Sequence, residues 1–532
     1  MKEPLDILIR NALVYDGGGG GPFKASVGIR DARIVYIGND KIDSSGIIDS
    51  DGLALCPGFI DTHSHSEFSI LAAPQCESKI MQGVTTEING NCGLSAAPLL
   101  GEAGKRREAD LNELEISERW SEFAGYLDIL QMRNPSINFA TLTGHNNLRA
   151  SVKGYAGGRA DDNEISKMAE LARKSFDSGS LGLSTGLIYP PGIFTDTEEL
   201  LRLVRAINRG EKLMYTSHMR SEGDRLIESI EEVLTICREG RARVHISHIK
   251  TAGKKNWHKV DVALDIINSA VDEGLEVTFD RYPYTGSSTD LDTLLPSWAY
   301  EGGNDEECRR LRDKSTRKRF VEHMKSAHEE KEYYGSVVIA SVYNEENRWM
   351  EGRSVLDVAG ATGLTPEDAV IDILLKENLR VTVIFLSMSE DNLRKFLVHP
   401  RCMIGSDSSV RSFEGVTAKG KPHPRGFGTF PRFLGKYVIG EGLMSLKEGI
   451  RRITSLPAET FGIKDRGKIR EGYCADIVIL DPESIKDTAT YEEPFRKPQG
   501  IEYVIVNGKV VVHKGMLNPN AKPGMIIKAD NI

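Results

Sequence analysis

The chain opens on two short apolar runs, Leu5-Asp6-Ile7-Leu8-Ile9 and Ala32-Arg33-Ile34-Val35-Tyr36-Ile37, separated by the glycines Gly17 to Gly21. Short β-prone runs around a glycine cluster predict strands and a turn. The far end has the same texture: Ala475 to Leu480, then Ile501 to Val506 and Lys509 to Val512 about Asn507-Gly508. An Asn-Gly pair between apolar runs is a strong hairpin signal. Strand-rich segments at both ends predict a small β-sandwich built from residues 1–56 and 467–532.

Between residues 57 and 466 the rhythm changes, and short apolar runs are followed by amphipathic helical stretches, as at Asn163 to Ser178 after 138–145. Repeated βα units predict a parallel sheet with crossover helices. The fold class expected is α/β, a (β/α)8 TIM barrel. Candidate strands end at His63, Asn91, Gly144, Ser184, His218, His248, Tyr282, Ser387 and Asp407. That is one more than a barrel holds, and Val381 to Leu386 is expected to lie outside it. Residues 286–350 are charged and helix-prone without strand rhythm, and are expected to form a helical insertion.

Composition narrows the function classes. With 532 residues, 40% hydrophobic and 27% charged, the chain suits a soluble globular protein with one large domain and an appendage. A net charge of -9 offers no basic footprint, which favours a small-molecule substrate over nucleic acid or a membrane surface. No apolar run reaches bilayer length, and Met1 to Asp6 meets polar residues too early for a signal peptide, so a cytoplasmic location is expected. The seven cysteines are odd in number and scattered, which argues against a disulfide framework. Each is first read as a small buried hydrophobe.

The chemistry gathers at strand ends. In Pro57-Gly58-Phe59-Ile60-Asp61-Thr62-His63-Ser64-His65 an apolar run ends in two histidines at i and i+2, which on a strand share a face. His218 and His248 close the runs Met214 to His218 and Val244 to His248, and Asp407 closes Met403 to Asp407. The C-terminal ends of barrel strands converge on one face, so these side chains should meet in one pocket. Asp407 taken alone also reads as a metal ligand or a helix N-cap.

These residues resemble the amidohydrolase superfamily, and within it the D-aminoacylases, also called N-acyl-D-amino-acid deacylases. The likeness covers essentially the whole chain. It is carried by Pro57 to His65, Gly90-Asn91-Cys92-Gly93, Gly182 to Gly192, Thr216 to Arg220, Tyr282-Pro283-Tyr284, and His423-Pro424-Arg425 through Arg432. It implies that Cys92, His218 and His248 hold a tight zinc ion while His63 and His65 form a second, weaker position. Thiolate with imidazole suits zinc and argues against magnesium or calcium. The bridging lysine of many relatives is absent from Gly182-Leu183-Ser184-Thr185, and Cys92 is the expected substitute.

By the same resemblance Lys250, Tyr282 and Arg425 bind the substrate carboxylate, Tyr189 and Ser287 line the pocket, and His145 lies near it. Lys250 also shares a strand face with His248 by the period of two. The reaction implied is hydrolysis of N-acyl-D-amino acids. Zinc brings the pKa of a bound water to roughly 7, and Asp407 accepts a proton and returns it to the leaving nitrogen. Relatives preferring acidic side chains place an arginine after the Tyr-Pro-Tyr motif, and Ser287 to Trp298 contains none, so a neutral, apolar side chain is expected. Arg309, Arg310 and Arg312 of the insertion are an alternative source of a cation. A cyclic amidase of the same superfamily is the rival enzyme reading, and a scaffold that has lost its metal is the non-enzyme reading. A deaminase is disfavoured by Ile249-Lys250-Thr251 after His248, where a His-x-x-Glu arrangement is expected. The oligomeric state is not legible.

Overall fold

The computed structural model describes residues 4–208, 210, 212–328 and 331–529. Of the segments read above, Met1 to Glu3, Arg209, Glu211, Glu329-Glu330 and Asp530 to Ile532 lie outside the described residues.

Eight parallel strands form the barrel: Phe59–Asp61, Val84–Asn89, Asn138–Thr141 continued by Thr143–Gly144, Leu183–Gly186, Met214–His218, Arg243–Ile246, Val277–Arg281 and Cys402–Ile404. Their register runs through Phe59↔Val84, Thr86↔Asn138, Leu183↔Thr143, Leu183↔Tyr215, Tyr215↔Val244, Val244↔Val277 and Phe279↔Cys402. A parallel bridge between Ser64 and Ser408 closes the ring. Period-two alternation splits each strand between two cores. Phe59, Tyr215, Val244, Phe279 and Ile404 pack outward in the large cluster shared with the helices. Ile60, Ile88, Ala140, Met214 and Met403 form a separate cluster with Phe461 and Ile463. This second cluster fills the barrel floor, leaving the strand C-termini for polar side chains.

Thr382–Leu386 is the surplus strand, as expected. It pairs antiparallel with Gly286–Asp290 and Val337–Ser341 in a three-stranded sheet outside the barrel. The insertion differs from its sequence reading in content and length. It holds the expected helices Asn304–Arg312 and Lys314–Ala327, but its sheet runs to Leu386, past position 350. Its own core joins Leu291, Phe320, Val337, Val370 and Val383. The first of its strands, Gly-Ser-Ser-Thr-Asp, has no apolar residue to announce it. Its strand character comes from pairing with the apolar Thr382–Leu386.

The two ends of the chain meet in one nine-stranded sheet. Leu5–Val14 pairs with Ala54–Pro57, which pairs antiparallel with Ile477–Leu480, and that strand pairs antiparallel with Ile501–Val506. Ile9, Val27, Ile34, Leu55, Ile477 and Ile505 bury the inner face of this appended domain.

Candidate metal centre and active site

Three of the strand-end residues have left-handed backbone: Cys92 at φ 52°, His248 at φ 36° and Asp407 at φ 51°. Such conformations cost about 1–3 kcal/mol each for ordinary residues and persist where surroundings impose them, often at functional sites. The flanking glycines supply the room. A Cβ on Gly90 would lie 2.1 Å from the Leu142 carbonyl oxygen, and one on Gly93 would lie 2.3 Å from Asn146 Oδ1. Both also have positive φ, so the Gly-Asn-Cys-Gly turn that presents Cys92 tolerates no side chain at either position.

The candidate ligands converge. Cys92 Sγ lies 3.2 Å from His63 Nε2 and 3.5 Å from His248 Nε2. Asp407 Oδ1 lies 3.2 Å from His65 Nε2 and 3.6 Å from His63 Nε2. One ligand atom from each of His63, Cys92, His248 and Asp407 falls within 4.8 Å of the others, and His218, Glu222 and His248 form a second such group. The sequence reading grouped Cys92 with His218 and His248 and set His63 apart with His65. Here the two groups share His248, and His63 stands directly beside Cys92. Only the fold puts the first and sixth strand ends this close.

The donor chemistry fits a soft or borderline cation. His218 is buried, and neither ring nitrogen has a hydrogen-bond partner. A buried imidazole left unpaired is costly unless something else satisfies it. Burial pushes the thiols of Cys56 and Cys76 up. Burial acts the same way on Cys92, but His63, His248 and His218 more than offset it and hold this thiol well below its ordinary range. A thiolate among imidazoles is a zinc-type donor set.

A second ring of residues aims these ligands, and sequence reasoning missed it. Asp280 is fully buried near the end of the seventh strand. Its carboxylate accepts from His63 Nδ1 at 3.1 Å, His245 Nε2 at 2.8 Å and the His248 backbone N–H at 3.1 Å. An ionised carboxylate only accepts, so Nδ1 of His63 carries the proton and Nε2 is left free to ligate. Burial opposes the charge on Asp280, but His63 and His245 hold its carboxyl well below the usual range. Glu222 pairs with Lys250 and lies 2.9 Å from His248 Nδ1. Beneath the candidate ligands, the buried Lys79 ammonium shares its three hydrogens among Asp61 Oδ2 at 2.8 Å, Ser64 Oγ at 2.6 Å, Ser406 Oγ at 2.8 Å and the Ser408 carbonyl at 3.0 Å. It ties the strand ends carrying His63 and Asp407 together.

Above the ligands lies a cavity of about 340 Å³, lined by His65, Cys92, His218, His248 and Asp407 and by Tyr189, Lys250, Tyr282, Ser287 and Arg425. Arg425 Nη1 approaches Asp407 Oδ2 to 2.9 Å yet makes no aligned hydrogen bond, and the Tyr282 hydroxyl is buried with no partner. Arg425 lies over the Tyr282 ring, 4.6 Å from its centroid. Burial would raise the Tyr282 phenol, but Lys250, Arg281 and Arg425 outweigh it and lower it. Tyr189 hydroxyl meets Thr289 Oγ1 at 2.9 Å. His145 is not on the cavity wall. It is fully buried, with burial and Arg149 pushing its pKa down to about 3, while its neighbours Asn146 and Asn147 reach the cavity. Its place at the start of the helix His145–Val152 turns it into the protein interior. Arg309 and Arg310 pair with Glu306, and neither they nor Arg312 line the cavity.

The comparisons with known proteins agree with this geometry. A model of the amidohydrolase family matches residues 46–512. A D-aminoacylase of Alcaligenes xylosoxydans xylosoxydans is 33% identical over 96% of this chain and 95% of its own length. An N-acyl-D-glutamate deacylase from the same organism is also 33% identical, over 100% of this chain and 98% of its own. The crystal structure of N-acyl-D-glutamate deacylase from Bordetella bronchiseptica, complexed with zinc and a phosphonate mimic of the tetrahedral intermediate, superposes with a TM-score of 0.84 at 31% identity, covering 99% of this chain and 100% of that one. With its closed eight-stranded barrel, its cluster of histidines and one thiolate at the strand ends, and these full-length matches, the chain belongs to the amidohydrolase family.

Proposed function

We propose that this protein is a zinc-dependent N-acyl-D-amino-acid deacylase, releasing a carboxylate and a free D-amino acid. The observation that carries the reading is a pair of donors in the cavity beside the Cys92 cluster: the Tyr282 hydroxyl, which has no partner, and Arg425 Nη1, which is ion-paired to Asp407 without an aligned hydrogen bond. A substrate α-carboxylate would satisfy both, with Lys250 adding positive charge 5.9 Å from the Tyr282 ring centroid. That leaves the scissile amide facing Asp407 and the histidines. The D configuration is taken from the relatives, whose names specify N-acyl-D substrates.

Cys92, His218 and His248 would hold the tight ion and His63 and His65 the weaker one, with Asp407 beside both; zinc bound there supplies Lewis acidity toward water and the amide carbonyl. The remaining steps belong to the chain. Burial works against the Asp407 charge, but Arg425, His248 and His65 outweigh it and keep the carboxyl well below the usual range, so it is ionised at neutral pH. As a carboxylate, Asp407 Oδ1 takes the proton of the attacking water and passes it to the amide nitrogen, which must be protonated to leave. His65 Nε2, at 3.2 Å, steadies that oxygen. Arg425 orients the opposite oxygen and the substrate carboxylate together. Ser287 to Trp298 holds no arginine, which argues against an acidic D side chain.

The test is hydrolysis of N-acetyl amino acids in D and L forms with zinc quantified alongside. Turnover of the D series by zinc-loaded protein is the expected result, and preference for the L series removes the reading.

A further inference from the structure

The same cavity is also walled by Arg106 and Arg107 of the helix Gly101–Glu113, by Tyr155, and by Asp290, Asp292 and Tyr300 of the insertion. Arg107 is paired with Asp110 at 2.8 Å. Among the described residues Arg106, Asp290 and Asp292 form no ion pair, and Arg106 rests 5.1 Å from the Tyr155 ring centroid. Asp292 is 8% exposed, and near it Glu307 is 2% exposed with Oε1 lacking any hydrogen-bond partner. Burial and mutual repulsion push Asp292 up to about 7 and Glu307 up to about 9, with Arg106 the leading opposing cation for both. Asp290, exposed at its strand end, is raised by the crowding of the wall around it, with Arg106, Arg107 and Arg380 opposing. Arg106 is the leading opposing cation for all three carboxyls, joined by Arg107 and Arg380 at Asp290 and by Arg310 at Glu307, and it contacts none of them at ion-pair distance. Asp292 is thus a buried carboxyl on the cavity wall with no cation in contact, and its ionised form is costly without one.

We propose that this wall is a subsite for an ammonium group carried by the substrate away from the scissile amide, with Asp290 and Asp292 as its partners. The inference rests on the deacylase reading and deepens it. The ammonium has two chemical sources: a basic D side chain, or the amino group of an aminoacyl substituent on the D-amino acid. A second carboxylate on the substrate would be repelled here.

The experiment uses the full-length, zinc-loaded protein at pH 7.5 with N-acetyl-D-leucine, N-acetyl-D-lysine, glycyl-D-leucine and N-acetyl-D-glutamate. We expect kcat/KM for at least one ammonium-bearing substrate to exceed that for N-acetyl-D-leucine about tenfold, the value of one charge-assisted hydrogen bond. A D-lysine advantage assigns the subsite to the side chain; a glycyl-D-leucine advantage assigns it to the acyl group. The ratio should fall to about one in the Asp290→Asn, Asp292→Asn double variant and rise in Arg106→Gln, which removes the competing cation. Should the double variant not fold, the wild-type ratio and Arg106→Gln decide the matter. N-acetyl-D-leucine turnover with no ammonium advantage overturns the subsite and leaves the deacylase reading standing. Fastest turnover of N-acetyl-D-glutamate also overturns it and assigns recognition to Arg106. If none of the four is hydrolysed, both readings fall.

Discussion

Replacing Asp280 with Asn should weaken zinc binding without touching a proposed ligand. The carboxylate receives two imidazole N–H groups on Oδ2 and the His248 backbone N–H on Oδ1. An asparagine keeps one acceptor oxygen and turns the other into a donor, which faces either two imidazoles or the backbone N–H. At least one bond is lost, and those kept lose their charge assistance. Hydrogen bonds to charged groups are worth about 1.5–3 kcal/mol against about 0.5–1.5 for neutral ones. Softening the His63 bond and loosening the His248 backbone should together remove about 1.4–2.7 kcal/mol of zinc affinity, or roughly 10–100-fold, the usual range for residues that orient a metal-binding histidine. The assay is competition between the metal-free protein and a chromophoric chelator, with circular dichroism and thermal melting confirming the fold. Zinc affinity within twofold of wild type in a folded variant would refute the claim that Asp280 fixes the His63 tautomer.

Asp407→Asn should retain zinc while kcat falls about 10²–10⁴-fold, the usual range for a lost general acid–base group; metal analysis beside steady-state kinetics checks this, and a loss under tenfold removes the proton-transfer role. Arg425→Met should raise KM roughly 10–100-fold by deleting a charge-assisted contact to the substrate carboxylate, and an unchanged KM would place that carboxylate elsewhere. The kcat/KM ratio of N-acetyl-D-lysine to N-acetyl-D-leucine should climb with pH through about 7, because Asp292 is protonated below that point and charged above it. Asp290, Glu307 and Arg106 face the same carboxyl, and the lysine ammonium stays protonated throughout, with an ordinary pKa of about 10.4. Where N-acetyl-D-lysine is the favoured substrate, a flat or falling ratio counts against the pairing; where glycyl-D-leucine is favoured, its ratio is read instead.

What the sequence revealed and what it hid have physical causes. His63, His218, His248 and Asp407 were legible because each ends an apolar run just where a polar loop begins, and a barrel gathers such ends. Asp280 sits inside its run as Val-Thr-Phe-Asp-Arg, so it reads as an ordinary strand position until His63 and His245 are seen around it. Glu222 follows its strand in a loop, and only proximity to His248 and Lys250 marks it. Lys79 lies on a single helical turn, Glu77–Ile80, where nothing local says that its ammonium is fully buried among partners from the C-terminal ends of the first and eighth strands. Arg106 and Asp290 belong to different excursions of the chain, and no periodicity joins a surface helix to a strand made of serine, threonine and glycine. The D-aminoacylase likeness, by contrast, was written in whole motifs, and the glycines of the Cys92 turn show why such motifs resist change: their Cβ positions are already occupied by backbone or side-chain atoms.

The shared sheet of the two chain ends also sets a timetable. Leu55 pairs with Ile479, 424 positions later. At a synthesis rate of roughly 5–20 residues per second, the ribosome takes about 20–80 s to deliver that partner. Throughout this interval the amino-terminal strands are made but one edge has nothing to bond to, and an open edge is a template for wrong pairing. The barrel can begin to assemble strand by strand as it emerges, while the appended domain must wait for Ile477–Leu480 and Ile501–Val506. Its maturation therefore depends on how well the open edge of Ala54–Pro57 is kept from wrong partners during that interval.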